Sequence, residues 1–122
     1  MSLTVSKVFV ALADLQGGLV EFYRQLFQLE PVVWLLHYAE FELSGLRLGI
    51  FQPKADHRDE FSGRAGSMSL CLEVRQLEAA IERLTELGYP PPSAITMAAH
   101  GREIYAYDPA GNRLILHEAP VS

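Results

Sequence analysis

The sequence predicts an α+β fold built of two tandem βαβββ modules, each a curved antiparallel sheet carrying one helix. Three observations lead there. Hydropathy and turn residues give the order strand, helix, three strands, and give it twice. A shift of 62 residues lays Val8, Val10, Leu12, Leu15 and Leu19 on Leu70, Leu72, Val74, Leu77 and Ile81, and all five pairs are apolar. Between the halves runs a polar stretch, Gln52 to Ser67, with Pro53, Gly63 and Gly66 and few apolar residues. The expected organisation is a single domain over residues 1–122, with modules at about 4–53 and 67–118 joined by the connector 52–67.

Lys7 to Ala13 alternates, with Val8, Val10 and Leu12 on one face, and reads as a strand. Asp14 is placed to cap a helix whose stripe is Leu15, Leu19, Phe22, Tyr23, Leu26 and Phe27, a pattern that outweighs the low helix propensity of Gly17 and Gly18. After Pro31, Val32 to His37 is a second strand. Glu40 to Leu43 and Leu46 to Phe51 flank Ser44 and Gly45, which read as a two-residue hairpin loop. In the second half, Ser69 to Val74 is a strand, and Leu77, Ala80, Ile81, Leu84 and Leu87 mark a helix ended by Gly88 and by the prolines that follow. A short segment at Ile95 to Met97 precedes strands at Glu103 to Tyr107 and Arg113 to His117, joined by the turn Asp108-Pro109-Ala110-Gly111-Asn112.

Composition narrows the function. Of the 122 residues 49% are apolar and 20% charged, which excludes a disordered or fibrous chain. The net charge of −5 works against phosphate backbones and anionic membranes, so no nucleic acid and no membrane are expected as partners. No uncharged apolar run approaches the ~20 residues needed to cross a bilayer. One cysteine, Cys71, and a start, Met1-Ser2-Leu3-Thr4, without a basic region and apolar stretch lead to a cytoplasmic expectation.

Two βαβββ modules in this length resemble the vicinal oxygen chelate superfamily, which includes glyoxalase I, extradiol dioxygenases and bleomycin-resistance proteins. The most specific pieces are Asp14-Leu15 followed by Glu21-Phe22-Tyr23-Arg24-Gln25-Leu26-Phe27-Gln28-Leu29-Glu30, similar to the family's D-L … F-Y … L-G-L-E signature. Tyr107-Asp108-Pro109-Ala110-Gly111-Asn112 is similar to its D-P-x-G-N turn. The resemblance implies the glyoxalase/bleomycin resistance/dihydroxybiphenyl dioxygenase fold and a homodimer. Metal-dependent relatives hold a divalent ion with His and Glu side chains from four strands that point into one concave groove. Counted from the two signatures, those positions fall on Lys7, near Gly49, on Ser69 and on Ile115. A protonated amine has no lone pair, glycine and isoleucine have no donor side chain, and a hydroxyl coordinates weakly. A slip of one residue does not restore the set, because Val8, Leu48, Ile50, Leu70, Leu114 and Leu116 are apolar. No metal ligand and no cofactor is therefore expected.

Alternation instead assigns to the face opposite the helices Lys7, Phe9 and Ala11; Arg47, Gly49 and Phe51; Ser69, Cys71 and Glu73; and Arg113, Ile115 and His117. From these the expected ligand-binding set is Lys7, Phe9, Arg47, Phe51, Ser69, Arg113 and His117, a mixture of cations and apolar groups suited to a small organic anion. The acidic net charge suits a cationic ligand instead, so the sign of the ligand charge stays open. Arg47 also has a structural reading as the cross-strand partner of Glu42. Among the histidines, His57 reads as solvated, His100 as a loop residue, and His37 and His117 as strand residues, of which only His117 has groove parity. A metal site of His117, Cys71 and Glu73 is the weaker alternative to His117 as a general acid or base. Cys71 is a nucleophile by position but is expected to be packed and inert. Trp34, Tyr38, Tyr105 and Tyr107 either pack, line a subunit interface or stack on a ligand.

Two function classes follow. One is a metal-independent protein that binds a small organic ligand, resembling the bleomycin-resistance branch. The other is an enzyme: a divergent lyase or isomerase acting on a carbonyl or 2-hydroxy-acid substrate, with His117 or Glu73 moving protons and Lys7 or Arg113 stabilising charge, or a glyoxalase- or dioxygenase-like metal enzyme with relocated ligands. A regulatory protein without small-molecule chemistry is the third reading.

Overall fold

A computed structural model describes residues 3–63 and 66–120; the remaining residues, including 64 and 65 of the expected connector, lie outside it. The chain divides into two compact units, Met1–Ser62 and Gly63–Ser122.

In the first unit, β1 (Val10–Ala13), α1 (Leu19–Phe27), β2 (Val33–Leu35), β3 (Tyr38–Leu43) and β4 (Leu46–Phe51) form a four-stranded sheet of order β1-β4-β3-β2. In the second, β5 (Leu70–Glu73), α2 (Leu77–Glu86), β6 (Thr96–Ala98), β7 (Gly101–Tyr107) and β8 (Arg113–Glu118) repeat that layout as β5-β8-β7-β6. The antiparallel pairing expected of both sheets holds along β2-β3-β4 and β6-β7-β8 and is corrected at the first strand of each. The helical crossover sends the chain back in the direction it came from, so β1 lies parallel to β4 and β5 parallel to β8, and each sheet is mixed.

Each sheet has its helix on one face. In the first unit that face carries Ala39, Phe41, Leu48 and Ile50, all buried, against Leu19, Phe22 and Tyr23 of α1; the Phe27 and Phe41 rings meet edge to face with centroids 5.9 Å apart. In the second, Leu70, Ile104, Ala106, Leu114 and Leu116 are buried with Leu77 and Leu84 of α2. Period 2 in the strands and spacings of three and four in the helices produce both layers.

Three expectations change. Lys7, Val8 and Phe9 precede β1, and Val8 is 74% exposed, because the sheet pairing that buries an alternate residue starts only at Val10, opposite Leu48. Helix α1 starts at Leu19, after Leu15, because Gly17 and Gly18 take φ of +87° and +90° and unwind the first turn that the stripe predicts. Helix α2, with no glycine there, begins at Leu77, which the 62-residue shift equates with Leu15. The connector, read as a polar stretch between the halves, contains a 3-10 helix at Ala55–Phe61 that turns back on the first unit: Arg58 Nη2 donates to the Leu15 carbonyl at 2.8 Å, and the Phe61 ring lies edge-on to Phe51 at 5.1 Å.

The helix starts are satisfied in two ways. Asp14 accepts from the backbone N–H of Gly17 at 2.8 Å and of Leu19 at 3.2 Å. Gln76 stands at the shifted position, and there Glu118 of β8 accepts from the Leu77 N–H at 2.9 Å, held in turn by Arg102, which also pairs with Glu78 of α2. The Arg102 guanidinium holds the Glu78 carboxyl at about 2, well below its ordinary 4.5.

Truncating Leu114, fully buried beneath α2, is expected to lower the unfolding free energy by roughly 2–5 kcal/mol. A urea titration of Leu114→Ala checks this, and a change under about 1 kcal/mol would remove Leu114 from the core.

Candidate functional site

The helix-free face of the first unit presents Tyr38, Glu40 and Glu42 of β3 beside Arg47, Gly49 and Phe51 of β4, with Ala11 opposite Gly49. Glu40 is only 8% exposed. It accepts from the Tyr38 hydroxyl at 2.7 Å and from Arg47 Nη1 at 2.5 Å, and these two bonds hold its carboxyl below the ordinary carboxylate range while raising Tyr38 and Arg47. Arg47 is thus in an ion pair, with Glu40 as its near partner and the cross-strand Glu42 at 3.8 Å. Gly49 leaves room for this cluster: a Cβ there would lie 2.9 Å from the Tyr38 hydroxyl.

Of the other predicted residues in this unit, Lys7 and Phe9 lie together just before β1, the Lys7 ammonium 5.7 Å from the Phe9 ring centre, and Phe51 packs on Phe61. His37 bonds Gln52 through Nδ1 at 2.7 Å. A cavity of about 250 Å³ opens at the β2 edge between Gly17-Gly18, Trp34, His37 and Phe51; of the predicted set only Phe51 reaches it.

The second unit brings Arg113 and His117 of the predicted set onto one face, with Ile115 between them. Arg113 lies opposite Tyr107, Ile115 between Tyr105 and Cys71, and His117 between Glu103 and Glu73. Arg113 Nε donates to Ser69 Oγ at 2.7 Å, and its Nη2 to the carbonyls of Gly66 at 2.6 Å and Met68 at 3.3 Å; it has no carboxylate partner among the described residues. His117 Nδ1 bonds Glu73 Oε2 at 2.5 Å, and the His100 ring stacks on the His117 ring with centroids 4.8 Å apart and planes at 22°. Hydrogen bonding to Glu73 raises the His117 pKa above its ordinary 6.5 against the opposing effect of burial; Glu73 and Glu103 charges and the His100 backbone add to the rise. Its Nε2 is buried without a hydrogen-bond partner.

Gly101 makes that stacking possible. Its φ of +136° turns the β6-β7 hairpin, and a Cβ there would run into the Glu118 carbonyl and sit 3.0 Å from His117 Nε2. Sequence reasoning grouped Glu73 with His117 only as a metal site and missed it as a hydrogen-bond partner, and missed the His100 stack altogether, since only the β5-β8 register and the hairpin bring them together. The packed, inert Cys71 is also corrected: its thiol is exposed, because Cys71 alternates onto the face without a helix. His57 pairs with Glu60 at 3.2 Å in the 3-10 helix, exposed as expected.

The four positions counted for the family's metal do not fit an ion. Gly49 has its side-chain space occupied by the Tyr38 hydroxyl, Ile115 is a hydrocarbon, Lys7 is a cation and Ser69 is engaged by Arg113. Among the described residues no group of three or more His, Cys, Asp or Glu is placed to hold a metal. No helix among them is long and apolar enough to cross a membrane.

The model of the Glyoxalase/Bleomycin resistance protein/Dioxygenase superfamily matches residues 11–116. The chain belongs to that superfamily. This member has the fold of a glyoxalase / bleomycin resistance protein from Catenulispora acidiphila DSM 44928, at 25% identity and TM-score 0.69, over 93% of this chain and 97% of that one. A genomically encoded fosfomycin resistance protein from Listeria monocytogenes aligns over 98% and 97% of the two chains with TM-score 0.74 and 16% identity. A glyoxalase-related enzyme from Fulvimarina pelagi aligns over 96% and 91% with TM-score 0.73 and 23% identity. No curated protein matches the chain. Below 25% identity the likeness is one of fold.

Two outcomes are expected here. Gly49→Ala should destabilise the protein by roughly 1–3 kcal/mol by pressing on Tyr38, with most of that loss absent when Tyr38→Ala is combined with it. Additive effects in a double-mutant cycle would show that Gly49 serves some other purpose. Glu73→Gln should lower the His117 pKa toward 6.5, followed by its imidazole signals in an NMR titration. In the parent protein a raised folded-state pKa means that the pair contributes stability below the unfolded pKa of His117 and loses it as pH rises through the folded one. An unchanged His117 titration would remove Glu73 as its partner.

Proposed function

We propose that this protein is a metal-independent superfamily member that binds a small organic molecule on the helix-free faces of its sheets. One observation carries the reading: the positions counted for the family's ligands hold an amine, a hydrogen, a hydroxyl and a hydrocarbon, and a tyrosine hydroxyl fills the space beside the glycine. On this reading the ligand contacts Arg47 and Phe51 on the first face with Lys7 and Phe9 from the segment before β1, and Arg113 and His117 on the second with Ser69 just before β5. Tyr105 and Tyr107 are 46% and 37% exposed on the second face and offer flat surfaces for a ring. The proposal extends to a cytoplasmic homodimer in which both modules act as one domain. The exposed β2 edge, with Trp34 and Leu35, supports the pairing.

The His117–Glu73 pair favours a second reading, a divergent lyase or isomerase. A carboxylate on Nδ1 orients an imidazole for proton transfer, and on this reading the buried Nε2 takes or gives a proton only once the stacked His100 ring moves aside.

Protein purified without chelator is expected to contain no stoichiometric divalent ion by elemental analysis, and its Tm should be unmoved by EDTA. A thermal-shift screen of small acids and aromatic cations should raise Tm, with the effect lost in Lys7→Ala or Arg113→Ala. A bound stoichiometric ion, or a screen without any hit, would sink the reading; turnover of a hit by the parent protein but not by His117→Gln would move it to the enzyme.

A further inference from the structure

Within the second unit the helix-free face is graded in charge along β8. At one end Arg113 is a cation whose charge no carboxylate among the described residues answers, fixed in place by Ser69 and by the Gly66 and Met68 carbonyls so that Nη1 is left free. In the middle lie Ile115, the Tyr105 ring and the Cys71 thiol, all half-buried or exposed. At the other end Glu73 and Glu103 flank His117 from the strands on either side, and Glu103 has no ion-pair partner among the described residues. Even with His117 protonated, two carboxylates against one imidazolium leave this end negative.

From this gradient, and resting on the small-molecule reading above, we infer that the ligand is dipolar: an anionic group at Arg113, a flat apolar body over Ile115 and Tyr105, and a cationic group at Glu73 and Glu103. This also resolves the ambiguity in ligand charge, since the face answers both signs at separate places. The spacing sets the size. Arg113 and His117 are four residues apart on one strand, about 13 Å at the usual rise. A ligand with its two charges at opposite ends of one para-substituted benzene ring is of the order of length this face offers. A purely anionic ligand would leave Glu103 facing a desolvated apolar body without compensation, and a purely cationic one would do the same to Arg113.

The test uses 4-(aminomethyl)benzoate, which carries a carboxylate and an ammonium across one ring, against benzoate and benzylamine, each with one charge. Isothermal titration and amide chemical shifts are recorded on the full chain. The dipolar probe is expected to bind at least about tenfold tighter than either single-charge probe, with shifts at Cys71, Tyr105 and Ile115. Arg113→Met should reduce it to the level of benzylamine, and Glu103→Gln, which disturbs no hydrogen bond, should weaken it without weakening benzoate. Binding of benzoate as tight as that of the dipolar probe, or shifts confined to the first unit, overturns the dipolar inference and leaves small-molecule binding standing. Silence from all three probes overturns the inference too, and only if the wider screen is also silent does the small-molecule reading fall with it.

Discussion

Each sheet is covered by a helix on one side only, and this constraint governs what every alternate residue must do. On the covered side, buried polar groups satisfy backbone N–H groups, as Asp14 does for Leu19 and as Glu118, held by Arg102, does for Leu77. On the other side charged side chains are admitted, and the neighbours set by register decide which are neutralised. In the first unit register puts Glu40 within reach of both Tyr38 and Arg47, and the three satisfy one another. In the second it puts Arg113 against a hydroxyl and two carbonyls, which fix the guanidinium without cancelling its charge.

Much of the fold was legible because its determinants are local. The turn at Asp108 to Asn112 can be read residue by residue: Asp108 accepts from the N–H groups of Ala110 and Asn112 at 2.9 Å each, and Gly111 supplies a φ of +87°. The duplication was legible because burial repeats with the same period in both halves. Alternation correctly put Arg47, Gly49, Cys71, Ile115 and His117 on bare faces, yet it was overridden by residue type for Cys71, where a habit of burial was preferred to parity.

The remainder was hidden because it depends on long-range register or on competition between local preferences. His117 and Glu73 are 44 residues apart, and no spacing rule reveals that a parallel ladder will join them. The length of α1 was misjudged because an apolar stripe and a glycine pair pull in opposite directions, and the glycines win where tertiary contacts are few. Lys7 to Phe9 has the composition of a strand, but a strand also needs a partner, and pairing with β4 begins only at Val10.

The Glu40–Arg47 pair means that the two halves of this duplicated chain are no longer interchangeable. A framework copied from one unit begins with two equivalent surfaces and two chances to specialise. Once one copy satisfies its own central charges, it is free to drift toward a supporting role while the other keeps an unanswered guanidinium. Such asymmetry makes the two surfaces chemically distinct: one holds a neutralised pair, the other a guanidinium without a carboxylate partner among the described residues.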